Sequence, residues 1–339
     1  MAASSFSLIS YTRKSLIEMS FSPGISELTI SIIALDRTAF FEATIQSLIS
    51  TTLPGATLQL TLNDSGPATR QVAEQALRIW DGPTALYSTP RRLGFVDAHE
   101  FALARIVTPF VNFMGDDDLN LGPRFEKQLT LFEDERTVAV GTFAHRIGAR
   151  PGRPIRMFGR MDLGPTSRSE MVKGLEADQP IYLVFPSVVA RAQAIRDSGG
   201  FRPVFGVAAD IDLWTRLAER GVVIAIPERL IGFRIHDNAG STLQFFEAKR
   251  MTRYARACQG ARRRHEREPS LDEFLENQGH LFKRAAIRMN DLSQYNFRRA
   301  GAAWLEARPL RFAYRLGLSL LLSPVACCRK LKDQRGRGS

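Results

Sequence analysis

The chain has 339 residues, of which 44% are hydrophobic, 9% aromatic and 24% charged, with a formal net charge of +11. This globular composition excludes a disordered chain, a collagen-like repeat and a multi-span membrane protein, and it suits one large α/β domain with appendages or two smaller domains. The three cysteines, Cys258, Cys327 and Cys328, form no Cys-x-x-Cys pair. They argue against a disulfide framework or structural zinc and for a reducing, cytoplasmic setting.

Residues 1–26 are Ser-rich, and Arg13 and Lys14 interrupt any apolar run, so this reads as a flexible N-terminal segment without a secretory h-region. Leu28–Ala34 is an apolar, β-branched run of the kind that forms buried parallel strands. Ala39–Ser50 carries Phe40, Ile45, Leu48 and Ile49 at helical spacing. Thr57–Leu62 predicts a second strand, ended by the turn Asn63-Asp64-Ser65-Gly66-Pro67. A helix over Arg70–Trp80, a strand over Thr84–Ser88 and a helix over Phe95–Ile106 follow. The strand Phe110–Met114 then runs directly into Gly115-Asp116-Asp117-Asp118. Next come a helix over Arg124–Phe132 and a strand over Val138–Phe143. Residues 148–168, rich in Gly, Pro and Arg, read as a long loop. Beyond it the pattern predicts a strand over Tyr182–Val189, a short helix over Ala192–Asp197 and a helix over Ala209–Arg220. Two last strands are expected at Val222–Ile226 and Leu230–Ile235. This alternation predicts βαβ units and a mostly parallel, Rossmann-like sheet flanked by helices. Ligands of such sheets bind beyond the carboxyl ends of the strands, which is where Asp64 and Asp116–Asp118 fall.

Three carboxylates on one tight turn suit a hard cation such as Mg²⁺ or Mn²⁺, which would neutralise a diphosphate; they equally suit an acidic helix start. Asp210 and Asp212 head a helix two residues apart and therefore diverge. One can face a cleft as a general base while the other caps the helix. Asp64 equally forms an Asx-turn, and His236 is a polar strand end or a ligand of metal or phosphate.

In this order the motifs resemble the family 2 glycosyltransferases, nucleotide-sugar enzymes of the GT-A fold. The likeness spans about residues 28–241. It comprises Ala34-Leu35-Asp36-Arg37, Asn63-Asp64-Ser65-Gly66, Arg92-Leu93-Gly94, Gly115–Asp118, Gly199–Phe201, Ala209-Asp210-Ile211-Asp212-Leu213 and Arg234-Ile235-His236. The resemblance implies that Asp36 and Asp64 contact the nucleotide's base and ribose and that Arg92 belongs to the same donor site. It implies that Asp116 and Asp117 face the sugar diphosphate, and that Asp118, Asp116 and His236 hold a divalent cation, Mn²⁺ or Mg²⁺. Asp210 would be the catalytic base of an inverting transfer from a nucleotide-diphosphate sugar to a glycan or lipid-linked acceptor, in cell-surface polysaccharide synthesis. Three positions depart from the family pattern: Asn63 for an Asp, Gly115 where the metal motif begins, and Ala209 for a Glu. These departures motivate a competing reading, a catalytically inactive GT-A-like module that binds nucleotide or glycan.

The charge is unevenly placed. Residues 241–339 hold 21 Lys+Arg against 9 Asp+Glu, whereas residues 1–240 hold 25 against 26. A basic tail on a neutral body suggests a polyanionic partner. Leu316–Cys328 is an apolar stretch too short to span a bilayer, with Arg311 and Arg315 before it and Arg329, Lys330 and Lys332 after it. It reads as a candidate membrane-surface helix within residues 309–328, at an anionic inner membrane face, or as a core helix completing the fold. The expected organisation is thus a GT-A domain over residues 27–241 and a basic helical region over 242–339. Nucleic acid is not an expected partner: Arg262-Arg263-Arg264 is one short cluster without an aromatic-interleaved or zinc-finger signature. A nucleotidyltransferase would need a Gly-rich, Lys-bearing loop, which Ala34–Phe41 lacks.

Overall fold

The computed structural model describes residues 23–51, 53–148, 157–235 and 244–335. Most of the N-terminal segment, residues 149–156 of the predicted long loop, and His236 lie outside the described residues. The apolar run of the first strand becomes β1 (Leu28–Ala34), followed by α1 (Thr38–Ile49), β2 (Thr57–Asn63), α2 (Pro67–Ile79), β3 (Thr84–Thr89) and α3 (Phe95–Leu103). Pro67 opens α2 because the first helical N–H has no intrahelical acceptor to lose. β4 (Phe110–Met114) comes next, then the short β5 (Leu119–Asn120), α4 (Arg124–Thr130) and the long β6 (Thr137–Ile147).

The order β3-β2-β1-β4 is parallel throughout. Alternate residues of β4 enter different cores: Phe110 and Met114 pack on one face of the sheet with α1 and α2, while Val111 and Phe113 pack on the other. Coverage of both faces explains why these strands read as continuous apolar runs.

From β4 outward the sheet is mixed rather than purely parallel, while most of its register pairs are parallel, as the alternation predicts. β8 (Val189–Arg191) runs antiparallel to both β4 and β6. β7 (Met157–Met161), inside the segment expected to be loop, is antiparallel to β6. α5 (Arg168–Glu176), capped by the Ser167 hydroxyl, follows it and was not foreseen. The strand predicted over Tyr182–Val189 is largely absent: Pro186 lacks the N–H a ladder requires, and Phe185–Ser187 forms a 3₁₀ turn. α6 (Ala192–Asp197) and α7 (Ala209–Ala218) appear where the pattern put them. The two last predicted strands are one, β9 (Val222–Arg234), parallel to β6. Pro227 suggested a break, yet Ile226 pairs with Thr142 and Arg229 with Phe143, so Pro227 and Glu228 bulge out of a continuous strand.

The basic C-terminal region is helical: α8 (Phe245–Arg263), α9 (Leu271–Glu276), α10 (Leu281–Leu305), α11 (Pro309–Leu322) and α12 (Pro324–Arg335). Met251, Tyr254, Ala255 and Cys258 of α8 join the core that holds α3 and α7. Much of its positive charge is used internally: Arg262 pairs with Glu219 and Glu268, Arg263 with Asp178, and Arg253 with Asp291.

Candidate active site

The carboxyl ends of β1, β2 and β4 lie side by side, and their loops interlock. Met114 ends β4, and the chain turns at Gly115, where an added Cβ would fall 2.5 Å from Asp118 Oδ2 and 3.2 Å from Asp117 Oδ1. The carboxylates of Asp117 and Asp118 therefore converge over a glycine that leaves room for them. The departure from the family's acidic residue at this position has a steric reason.

Asp116 is buried and turns toward β1: its Oδ2 accepts from the Leu35 N–H at 2.7 Å, and its Oδ1 is paired with Arg37, which also bridges to Asp117. Burial raises the Asp116 carboxyl to about 6, against the opposing pull of Arg37. Asp118 is also buried, and its Oδ1 accepts from the Arg234 N–H at 2.8 Å. Desolvation and the negative charge of Asp117 hold it well above the usual carboxylate range. Arg234 donates through Nε to the Asp117 carbonyl at 2.6 Å and lies over the Phe40 ring. The end of β9, leading into His236, is thereby fastened to the acidic turn.

The neighbouring loop joins this turn to the other donor-site candidates. Asp36 is exposed, and its Oδ1 accepts from the Gly66 N–H at 2.7 Å and from the Thr69 hydroxyl at 3.3 Å. Ser65 donates to the Ala34 carbonyl at 2.7 Å. Asp64 is exposed with a backbone φ of 55°, a left-handed conformation that Asp tolerates better than most residues. Asn63 is buried and acts as a latch: its amide bonds the Leu93 carbonyl at 3.0 Å, the Leu93 N–H at 2.8 Å and the Thr89 hydroxyl at 3.1 Å. It fixes the loop that displays exposed Arg92. Asp36, Asp64, Arg92 and Asp116–Asp118 are thus carried on interlocked loops at one edge of the sheet.

α7, which carries Asp210, is joined to β4 by a run of rings. Phe113 of β4 stacks on Phe185 at 6.2 Å, and Phe185 meets Trp214, one turn beyond Asp210 on α7, at 6.2 Å. Asp210 is half-buried in the first turn of α7. Desolvation pushes its carboxyl up to about 6, opposed by hydrogen bonds from the backbone N–H groups of Ile211 and Asp210 itself. Asp212, expected as a helix cap if not a base, is neither at the surface nor at the N-cap. It is buried between Arg202 and Arg216. Arg202 also pairs with Glu268, so this group ties α7 to the chain beyond α8.

Three residues outside the motif reading shape the site. Arg37 was seen only as part of its motif. Glu100 of α3 accepts from the Phe201 N–H at 2.6 Å, and a Cβ on Gly200, whose φ is +65°, would fall 2.4 Å from the same oxygen. His99 stands among Phe95, Phe113, Phe185 and Phe201, donates Nδ1–H to the Phe95 carbonyl and is pushed by burial down to about 4. Only the pairing of strand ends could have singled these out.

Among the described residues the candidate donors are all carboxylates, which fits a hard divalent cation shared with substrate phosphates. Asp117 and Asp118 offer oxygens over Gly115, whereas both Asp116 oxygens are engaged by Leu35 and Arg37. Among the described residues no group of three His, Cys, Asp or Glu forms a complete metal site.

The sequence model for glycosyl transferase family 2 matches residues 29–196, and this part of the chain belongs to that family. Among solved structures, Staphylococcus aureus TarS 1–349 in complex with UDP-GlcNAc is 12% identical with a TM-score of 0.50, over 91% of this chain and 92% of that one. GalNAc-T7 with UDP, GalNAc and Mn²⁺ is 11% identical with a TM-score of 0.51, over 82% of this chain and 56% of that one. These likenesses define the GT-A fold. Among curated proteins no sequence matches.

Proposed function

We propose that the chain is an inverting glycosyltransferase that moves a sugar from a nucleoside-diphosphate donor to a hydroxyl of a glycan or lipid-linked acceptor. It would serve cell-surface polysaccharide synthesis at the cytoplasmic face of an anionic membrane. The observation that carries this reading is Asp210: a carboxylate in the first turn of α7, raised to about 6 by burial and held by backbone amides instead of a guanidinium. A base must accept a proton near neutral pH, and a pKa near 6 prepares it for that.

In this reading Asp36, Asp64 and Arg92 bind the nucleotide, and Asp116 and Asp117 orient the diphosphate. Asp118, with Asp117 or Asp116 and His236, would hold Mn²⁺ or Mg²⁺, whose chemistry is to offset the charge that builds on the leaving diphosphate. Asp210 takes the proton from the acceptor hydroxyl as its oxygen bonds to the anomeric carbon. The bond from that carbon to the phosphate oxygen breaks, and its electron pair leaves with the nucleoside diphosphate. One in-line displacement without a covalent intermediate inverts the anomeric configuration.

The competing reading, binding without turnover, draws on Arg37, whose guanidinium already spans two carboxylates of the acidic turn. Thermal denaturation with UDP, dTDP, GDP, CDP and CMP, each with and without Mn²⁺, tests the donor site first. A ligand at about 100 times its Kd adds roughly 2.7 kcal/mol of stability. The expected result is a shift with one diphosphate that requires Mn²⁺ and is lost in Asp118→Ala. Turnover with the corresponding sugar nucleotide then separates the two readings. No shift with any nucleotide, in folded protein, overturns the transferase reading and the nucleotide-binding form of the competing one.

A further inference from the structure

α11 keeps large apolar side chains on its outer side. Its buried line carries Ser319, whose carbonyl accepts from the Ser293 hydroxyl of α10 at 2.8 Å. Three large apolar residues lie on its outer side: Leu310 is 86% exposed, Tyr314 63% and Leu321 80%, while Phe312, Leu316, Leu318 and Leu322 are half-buried. These three recur at i, i+4 and i+11, a single stripe opposite Ser319. An added Cβ at Gly317, in the same stripe, would meet nothing within 4 Å. Val325, at the start of α12, is 69% exposed. A helix that faces water carries polar residues on its outer side, whereas an apolar outer stripe suits a helix whose outer face meets lipid.

The rim agrees with that solvent. Arg311 on α11 and Arg329 on α12 are exposed, and Trp304, half exposed, rests against Phe312 with ring centroids 5.0 Å apart. Aromatic rings and cations of this kind sit at the headgroup level of a bilayer. No described helix is long and apolar enough to cross a membrane, so the stripe would lie along the surface.

We propose that the α11–α12 face docks flat on an anionic phospholipid bilayer. Leu310, Tyr314, Leu321 and Val325 enter the boundary between headgroups and acyl chains, and Arg311 and Arg329 meet lipid phosphates. The proposal deepens and rests on the membrane-surface part of the functional reading, and it is independent of sugar transfer. Charge selects the bilayer over a second copy of the chain, because a two-fold contact through this stripe would bring like cations together.

The test is co-sedimentation of the full chain with vesicles of equal parts phosphatidylglycerol and phosphatidylcholine, and with vesicles of phosphatidylcholine alone. Binding to the anionic vesicles, weakened by salt, is expected. It should fall more than about tenfold in Leu310→Glu/Leu321→Glu and in Arg311→Glu/Arg329→Glu. A polarity-sensitive dye on Cys328, the exposed cysteine of the three, should shift to the blue on binding. Absence of binding by folded protein overturns the proposal. So does binding unchanged in both variants, or a dimer that Leu310→Glu/Leu321→Glu converts to monomer in light scattering. Both variants should keep the nucleotide-dependent thermal shift. Its loss throughout would instead point to failure of the donor-site reading.

Discussion

The acidic turn after β4 and the head of α7 each set carboxylates two residues apart, and they treat them differently. At the turn, Asp116 and Asp118 are both buried and both held, one by Leu35 N–H and Arg37, the other by Arg234 N–H. At the head of α7 the work is divided. Asp212 lies between two guanidiniums and joins elements, whereas Asp210 keeps a raised pKa against the pull of backbone amides. Equal spacing therefore does not mean equal duty. A cation-binding site gains from carboxylates gathered on one turn, while a base is best left without a counter-charge that would depress its pKa.

The sharpest way to break this contrast is Asp210→Asn. Under the proposed function it lowers transfer by about 10²–10⁴-fold while the donor-dependent thermal shift persists. Retained turnover would move the base elsewhere. Asp212→Ala should behave in the opposite manner, destabilising the fold by about 3 kcal/mol in urea denaturation because Arg202 and Arg216 lose a buried partner. A stability loss within error of zero would show that the pair is not what holds α7. Gly200→Ala is expected to lower stability by about 2 kcal/mol, through its positive φ and the approach to Glu100.

The smallest effect is the dependence on pH. Asp210 titrates near 6 in the fold against an ordinary 3.8, so the folded protein binds this proton more readily than the unfolded chain. Its contribution to stability is therefore present below about pH 4 and is lost as pH rises toward about 6. Asp210→Asn should flatten that part of the stability curve. In the active enzyme, kcat/KM should fall as pH drops below about 6, and an acid limb displaced well below 5 would separate Asp210 from the proton transfer.

Much of this was legible because the parallel half of the sheet obeys local rules. β1, β4 and α6 begin and end at the predicted residues, since apolar runs buried on both faces are bounded by turn residues or helix caps. Reading failed where pairing is non-local. The segment around Pro186 is as apolar as a strand but packs as a 3₁₀ turn, and Pro227 looks like a stop but sits in a bulge. The same limit applies to the site. The acidic motifs stood out by spacing, but the divergent fates of Asp210 and Asp212 depend on Arg202, which another loop delivers. Asn63 shows the converse. In the sequence it is only a departure from the family pattern, and in the structure it is a buried latch between two loops.

Gly115 also sets a limit on protein engineering. A designer wishing to make the chain conform to its relatives would write an acidic residue there. The backbone at this position lies under the Asp118 carboxylate, with 2.5 Å between that oxygen and any new Cβ. Such a repair would push aside one of the oxygens it was meant to supplement. Under the proposed function, donor preference is better altered at the exposed side chain of Arg92, whose charge can be changed while the Asn63 bonds to Leu93 hold its loop.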